Sequence, residues 1–141
     1  MGDSNELQLK PVMQLRSQIH LVKDIPAGSQ VGYGGTAITK SDTKLAVIPM
    51  GYADGIPRNA NSLAGVLIGN KRAPIIGRVS MDQFVVDLGN DSIARAGEWA
   101  YLIGSEGAGG YTADAWAKAC GTINYEIVTR IGARVPRVFI N

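Results

Sequence analysis

Apolar and polar residues alternate from Val12 to Val22. Met13, Leu15, Ser17, Ile19 and Leu21 fall on one face, and Gln14, Arg16, Gln18 and His20 on the other. A period of two puts one face on a core and the other in water, which predicts a half-buried strand. "DIPAG" then reads as a turn. Short apolar runs recur after it: "KLAVIPMGYA", "GVLIG", "APIIGRV", "QFVVDL" and "WAYLIG", each bounded by Gly, Pro, Asn or Asp. Short strands at such spacings predict a sandwich or a small barrel. Pro49 and Pro74 mark edges or bulges, because proline cannot donate to a ladder. Later the period changes. "TADAWAKACG" offers Thr112 as an N-cap, Ala-rich helix formers and Gly121 as a stop, and it predicts a helix. "INYEIVTRIG" is ambiguous, "RVPRVFIN" reads as a closing strand interrupted by Pro136, and "GSEGAGG" (104–110) as a flexible loop. The fold class expected is mainly β: a small Greek-key-like β-barrel domain with one or two short helices.

Composition bounds the function more than it defines it. A chain of 141 residues is one domain by length. With 45% hydrophobic and 18% charged residues it has the makings of a globular core rather than a disordered segment. The net charge of +2 is small and the 14 Lys and Arg are scattered, so no basic stripe points to nucleic acid. One cysteine, Cys120, excludes an internal disulfide, and with one histidine no metal-ligand cluster can be assembled. Cys120 reads as a small buried apolar residue. The N-terminus lacks the apolar stretch of a signal peptide, and Glu6 stands where a myristoylation signal needs Ser or Thr. No run is long enough to span a membrane, and a cytoplasmic location is the default expectation.

Candidate chemistry is sparse. Tyr33 stands between Gly32 and Gly34, with Gly35 behind. Glycine here reads in two ways: an ordinary Gly-rich hairpin turn carrying a surface tyrosine, or a bare setting in which a ligand or another backbone must come close. No Gly-x-x-x-x-Gly-Lys phosphate loop is present. His20 belongs to the alternating strand and has no acid or nucleophile beside it. Asp54, Asp82 and Asp87 each follow a turn or end a strand, where Asp commonly satisfies backbone donors. Composition and spacing alone assemble no self-contained active site.

Five segments in order add to this reading: "LKPVM" (9–13), "GYGGT" (32–36), "IPMGYADGIPR" (48–58), "PIIGRVSMDQ" (74–83) and "INYEIVTRIGARVPRVF" (123–139). Together they resemble the C-terminal domain of the alanine racemase family, over residues 9–141, with 1–8 left as an N-terminal tail or a remnant of cloning. The resemblance implies a partner domain, a (β/α)8 barrel that carries pyridoxal 5'-phosphate on a lysine. It also implies a head-to-tail homodimer in which this domain docks on the other subunit's barrel. L-alanine and D-alanine would be interconverted by two bases on opposite faces, supplying D-alanine for peptidoglycan.

On that resemblance Tyr33 occupies the position of the catalytic base for the L enantiomer. Met81 occupies the position whose backbone N–H receives the substrate carboxylate. Asp82 supports that loop, and Tyr52 stands at the mouth of the substrate channel, limiting the side chain admitted. The sequence also departs from the family. Ser80 replaces a common cysteine, and Ala133 stands where some members place a tyrosine reaching the cofactor phosphate. None of Lys10, Lys23, Lys40, Lys44, Lys71 and Lys118 lies in the cofactor-lysine motif, and a barrel of about 250 residues cannot fit in this chain. A cloned or proteolysed piece, inert alone, is the simplest account. A free-standing β-module that binds a partner without chemistry, and the same domain of a serine or other amino-acid racemase, are the alternatives.

Overall fold

The alternation from Val12 to Val22 builds two strands rather than one. In the computed structural model, which describes residues 10–105 and 109–141, the order is β1 (Leu15–Gln18), β2 (Leu21–Ile25), β3 (Gln30–Val31), β4 (Ala37–Ile38), β5 (Thr43–Ile48), β6 (Gly65–Ile68), β7 (Lys71–Pro74), β8 (Phe84–Asp87), β9 (Trp99–Ile103), α1 (Ala113–Cys120) and α2 (Asn124–Thr129). The tail read at 1–8, and residues 106–108 of the loop at 104–110, lie outside the described residues. β1 pairs with β9, and β2 with β5. Between them the Ile19 N–H donates to the Glu98 carbonyl at 2.9 Å, and the His20 N–H donates to the Val47 carbonyl at 2.9 Å. The chain therefore changes sheets across one peptide bond. The phase changes with it: Leu15 and Ile19 are buried, whereas Leu21 is exposed and Val22 turns inward.

Antiparallel pairing gives a four-stranded sheet β1-β9-β6-β7, a three-stranded sheet β2-β5-β8 and the small pair β3-β4. The first two meet at one isolated bridge, Ile75 to Val86, beyond the end of β7. On the opposite side they are joined by the Ile19–His20 crossing. The expected mainly β domain with two short helices is therefore present, and its sheets wrap a common core without closing into one continuous ladder. Proline acts as expected, with Pro74 ending β7 opposite Gly65.

Both sheets fill the core, with Ala46, Ile48, Phe84 and Val86 from one and Val66 and Leu102 from the other. Trp116 of α1 closes one end of it. Its Nε1–H donates to the Leu102 carbonyl at 2.7 Å, and its ring meets Phe84 edge-on, with centroids 6.3 Å apart. An indole buried with its donor satisfied keeps its large apolar contribution without a desolvation penalty. α1 has the predicted limits: the Thr112 hydroxyl accepts from the Ala115 N–H at 3.0 Å, and Gly121 ends the helix at φ 69°. The ambiguous stretch after it is helical over α2, which buries Ile127 against the core.

The closing strand expected over "RVPRVFIN" does not form. The Arg137 guanidinium donates instead to the carbonyls of Ile131, Gly132 and Val135, curling the segment around itself. Pro136 removes a donor at the same place. Among the described residues no helix is long and apolar enough to cross a membrane.

Candidate functional site

Tyr33 sits on a single helical turn, Tyr33–Gly35, between β3 and β4, and is 79% exposed. The glycines around it do different jobs. Gly32 has φ 80°, and a Cβ there would lie 3.1 Å from the Arg78 amide nitrogen and 3.2 Å from the Gly77 Cα. Two backbones of this same chain thus cross at Gly32 and Gly77. A Cβ on Gly34 would meet nothing within 4 Å, so that glycine serves only the left-handed φ of 78°. The close approach expected beside Tyr33 therefore exists within the chain, and the far side of the tyrosine is open.

Tyr52 begins a second helical turn, Tyr52–Asp54, directly after Gly51, and is 40% exposed. This turn lies on the backbone of "SMDQ". The Tyr52 N–H donates to the Ser80 carbonyl at 3.0 Å and the Ala53 N–H to the Met81 carbonyl at 2.9 Å. The Ser80 N–H closes its own loop onto the Gln83 carbonyl at 2.9 Å. The Met81 N–H bonds to none of the described residues, and the residue is 54% exposed. An unpaired amide at the surface is free to meet an anion.

One segment therefore braces both turns. Gly77 supports the turn of Tyr33, and Ser80–Met81 supports the turn of Tyr52. Four residues can span at most about 14 Å, so the two tyrosines are held by points close together. A groove of about 780 Å³ opens beside the first of these points, between Thr36–Ala37 and Gly77–Arg78. Arg58, Arg78 and Arg130 also line it. Arg130 faces Glu126 at 3.6 Å, while Arg58 and Arg78 meet no carboxylate among the described residues. Such a groove attracts anions.

The aspartates divide by role. Asp87 accepts from the Gly89 N–H at 3.0 Å, and the buried Asp54 accepts from the Gly51 N–H at 2.9 Å, as turn aspartates commonly do. Asp82 differs: its carboxylate accepts from Arg134 Nη2 at 2.7 Å. Arg134 also donates through Nε to Asp54 at 3.0 Å. These two carboxylates hold the Arg134 guanidinium charged, raising it above its ordinary value, with the Asp82 hydrogen bond the larger cause. The sequence reading assigned Arg134 no role, because its partners lie 80 and 52 residues away. No local sequence signal marks the pairing, because the burial of Asp54 appears only in the fold.

The remaining candidates stay apart from this cluster. His20 is exposed at the sheet crossing. Cys120 is buried, and burial pushes its thiol up, the opposite of what a nucleophile needs. Among the described residues no group of His, Cys, Asp and Glu is arranged to hold a metal ion.

Residues 12–139 match the family model described as "Alanine racemase, C-terminal domain". The alanine racemase of Streptomyces coelicolor is 50% identical over 141 residues, covering 100% of this chain and 36% of that protein. The alanine racemase of Frankia casuarinae is 52% identical over 140 residues, covering 99% of this chain and 36% of its own length. Among solved structures, alanine racemase from a D-cycloserine-producing Streptomyces lavendulae superposes with a TM-score of 0.91 at 52% identity, over 97% of this chain and 36% of that one. The chain thus spans about a third of the length of these relatives.

Proposed function

The chain belongs to the alanine racemase C-terminal domain family, and from that membership we propose that it supplies one of the two proton-transferring faces of a racemase acting on alanine. The observation that carries this reading is the placement of Tyr33. A phenol 79% exposed on a glycine turn, next to an arginine-lined groove and braced on the same segment as a free amide, suits a group that works on something outside its own domain.

The assignments follow from what each atom can do. The Tyr33 oxygen holds or takes the α-proton on one face of the amino acid. The Met81 N–H donates to the substrate carboxylate. A backbone donor needs no particular side chain, which is why an exposed methionine can stand at such a position. Tyr52, on the turn bonded to Ser80 and Met81, limits the size of the side chain admitted.

Pyridoxal 5'-phosphate would supply the electron sink that makes the α-proton removable. This chain's residues do not fit the task of holding it through an amine. A Schiff-base lysine is desolvated or paired with another cation. Here Lys10, Lys23, Lys40, Lys71 and Lys118 are exposed, and Lys44 donates to the Ser92 carbonyl at 2.8 Å. In the proposed arrangement the cofactor and its lysine lie in a barrel domain, and this domain docks on the barrel of the other subunit of a homodimer in the cytoplasm.

The full-length protein carrying this chain, loaded with pyridoxal 5'-phosphate, is expected to convert L-alanine to a racemic mixture, followed as the decay of optical rotation. This chain alone, given the same cofactor, is expected to leave the rotation unchanged. A full-length protein that leaves L-alanine unchanged while racemising another amino acid would overturn the substrate assignment.

A further inference from the structure

The structure assigns Arg134 as a positioning residue that locks the Met81 loop to the Tyr52 turn through Asp54 and Asp82. Its use in substrate binding rests on the carboxylate role proposed for Met81. Arg134 reaches both loops from a third segment. Its guanidinium lies 3.0 Å from Asp54 Oδ1 through both Nε and Nη2, and Nη2 lies 2.7 Å from Asp82 Oδ1. A planar guanidinium holds its donors in fixed directions toward both carboxylates, whereas an ammonium on a flexible stem sets those directions less firmly.

The two carboxylates are not equivalent. Asp54 is fixed from within: its side chain is 10% exposed, its second oxygen accepts from the Gly51 N–H, and its own carbonyl accepts from the Gly132 N–H at 2.9 Å. Asp82 is exposed, and among the described residues the only group bonded to its carboxylate is Arg134. Arg134 therefore takes its own position from Asp54 and passes it to Asp82. Asp82 follows Met81 directly, so holding its side chain restrains the loop on the C-terminal side of the residue whose N–H is unpaired. The backbone bonds from Tyr52 and Ala53 fix one side of the Met81 loop. Arg134 fixes the other.

Two measurements separate this inference from the reading it rests on. The first follows amide hydrogen exchange at Tyr52, Ala53 and Ser80, whose bonds hold the Met81 loop, with Ala46 and Val86 as core references. In R134A and in D82N these three amides are expected to exchange about tenfold faster, consistent with an opened local unit rather than global unfolding. The core references should not change. In the double variant the effects should not add, because the two groups act as one contact. R134K, retaining the charge without the fork, should fall between. Unchanged loop amides in R134A, additive effects in the double variant, or an equal rise at the core amides would each overturn the inference.

The second measurement is steady-state kinetics of the full-length racemase with the same substitutions. A raised KM for both enantiomers at nearly constant kcat, with partial recovery in R134K, is the pattern expected of a displaced carboxylate donor. Faster loop exchange with an unchanged KM would keep Arg134 as the lock and remove Met81 from carboxylate binding.

Discussion

On the proposed function, replacing Tyr33 by phenylalanine in the full-length protein is expected to slow removal of the α-proton from L-alanine by about 10²–10⁴-fold, the usual contribution of a positioned acid–base group. Removal of the α-proton from D-alanine should change far less. The test must be made on proton exchange rather than on racemisation. Free L- and D-alanine have equal free energy, so the two directions of racemisation share one kcat/KM, and losing either base slows both directions equally. Wash-out of the α-proton into deuterium oxide, observed by NMR, reads each face separately. D-alanine should continue to exchange without inverting, and L-alanine should scarcely exchange. Equal loss from both enantiomers would undermine the assignment of one base to each face. The substitution removes one hydroxyl from an exposed residue, so the fold should be unaffected.

Gly51→Ala is expected to lower the stability of the site strongly. A Cβ there would lie 2.2 Å from the Ser80 carbonyl oxygen and 2.3 Å from that of Met81. Gly51 itself has an ordinary extended backbone, so the conflict is entirely one of space. The atoms in the way are backbone and cannot rotate aside. The turn would have to lift from "SMDQ", straining or breaking the bonds from Tyr52 and Ala53 to those two carbonyls. Overpacking and the loss of two bonds together cost about 2–4 kcal/mol. For a domain of this size that lowers the melting temperature by roughly 10 °C. Gly34→Ala is the matched comparison. Nothing lies within 4 Å of the added atom, and only the left-handed φ of 78° is strained, at about 1–2 kcal/mol. Calorimetry of the two variants should rank Gly51→Ala clearly below Gly34→Ala. Equal melting temperatures would mean that the Tyr52 turn does not rest on the Met81 loop as described.

What could be read from the sequence follows from how local each signal is. The ends of α1 were legible because Thr112 and Gly121 act within one turn of the residues they cap. β6, β8 and β9 were legible because short apolar runs sit between turn residues. The switch of sheets at Ile19–His20 was hidden, since alternation looks the same whether a strand keeps its partner or exchanges it. The absent closing strand had a local cause, but the cause is a side chain: Arg137 takes up the carbonyls of its own segment.

The site divides in the same way. Tyr33 stood out because three glycines surround it. What those glycines serve did not, because Gly32 meets Gly77 and Arg78 far along the chain. Tyr52, Met81 and Asp82 were placed by resemblance to a family, and the structure adds the contacts that join their two loops. Arg134 is the clearest omission. Nothing beside it in the sequence marks its function, and only the fold brings Asp54 and Asp82 to the same guanidinium.

The central claim is that Tyr33 serves an active site whose cofactor lysine belongs to another subunit. Mixing subunits tests it most directly. Full-length Tyr33→Phe protein is combined with protein in which the barrel lysine has been replaced, each inactive alone, and the dimers are dissociated and re-formed. If the tyrosine acts across the interface, a mixed dimer holds one complete site, and random re-association restores about one quarter of the wild-type activity. If the tyrosine acts within its own subunit, no mixed dimer contains a complete site. A mixture as inactive as its two parents would contradict the account.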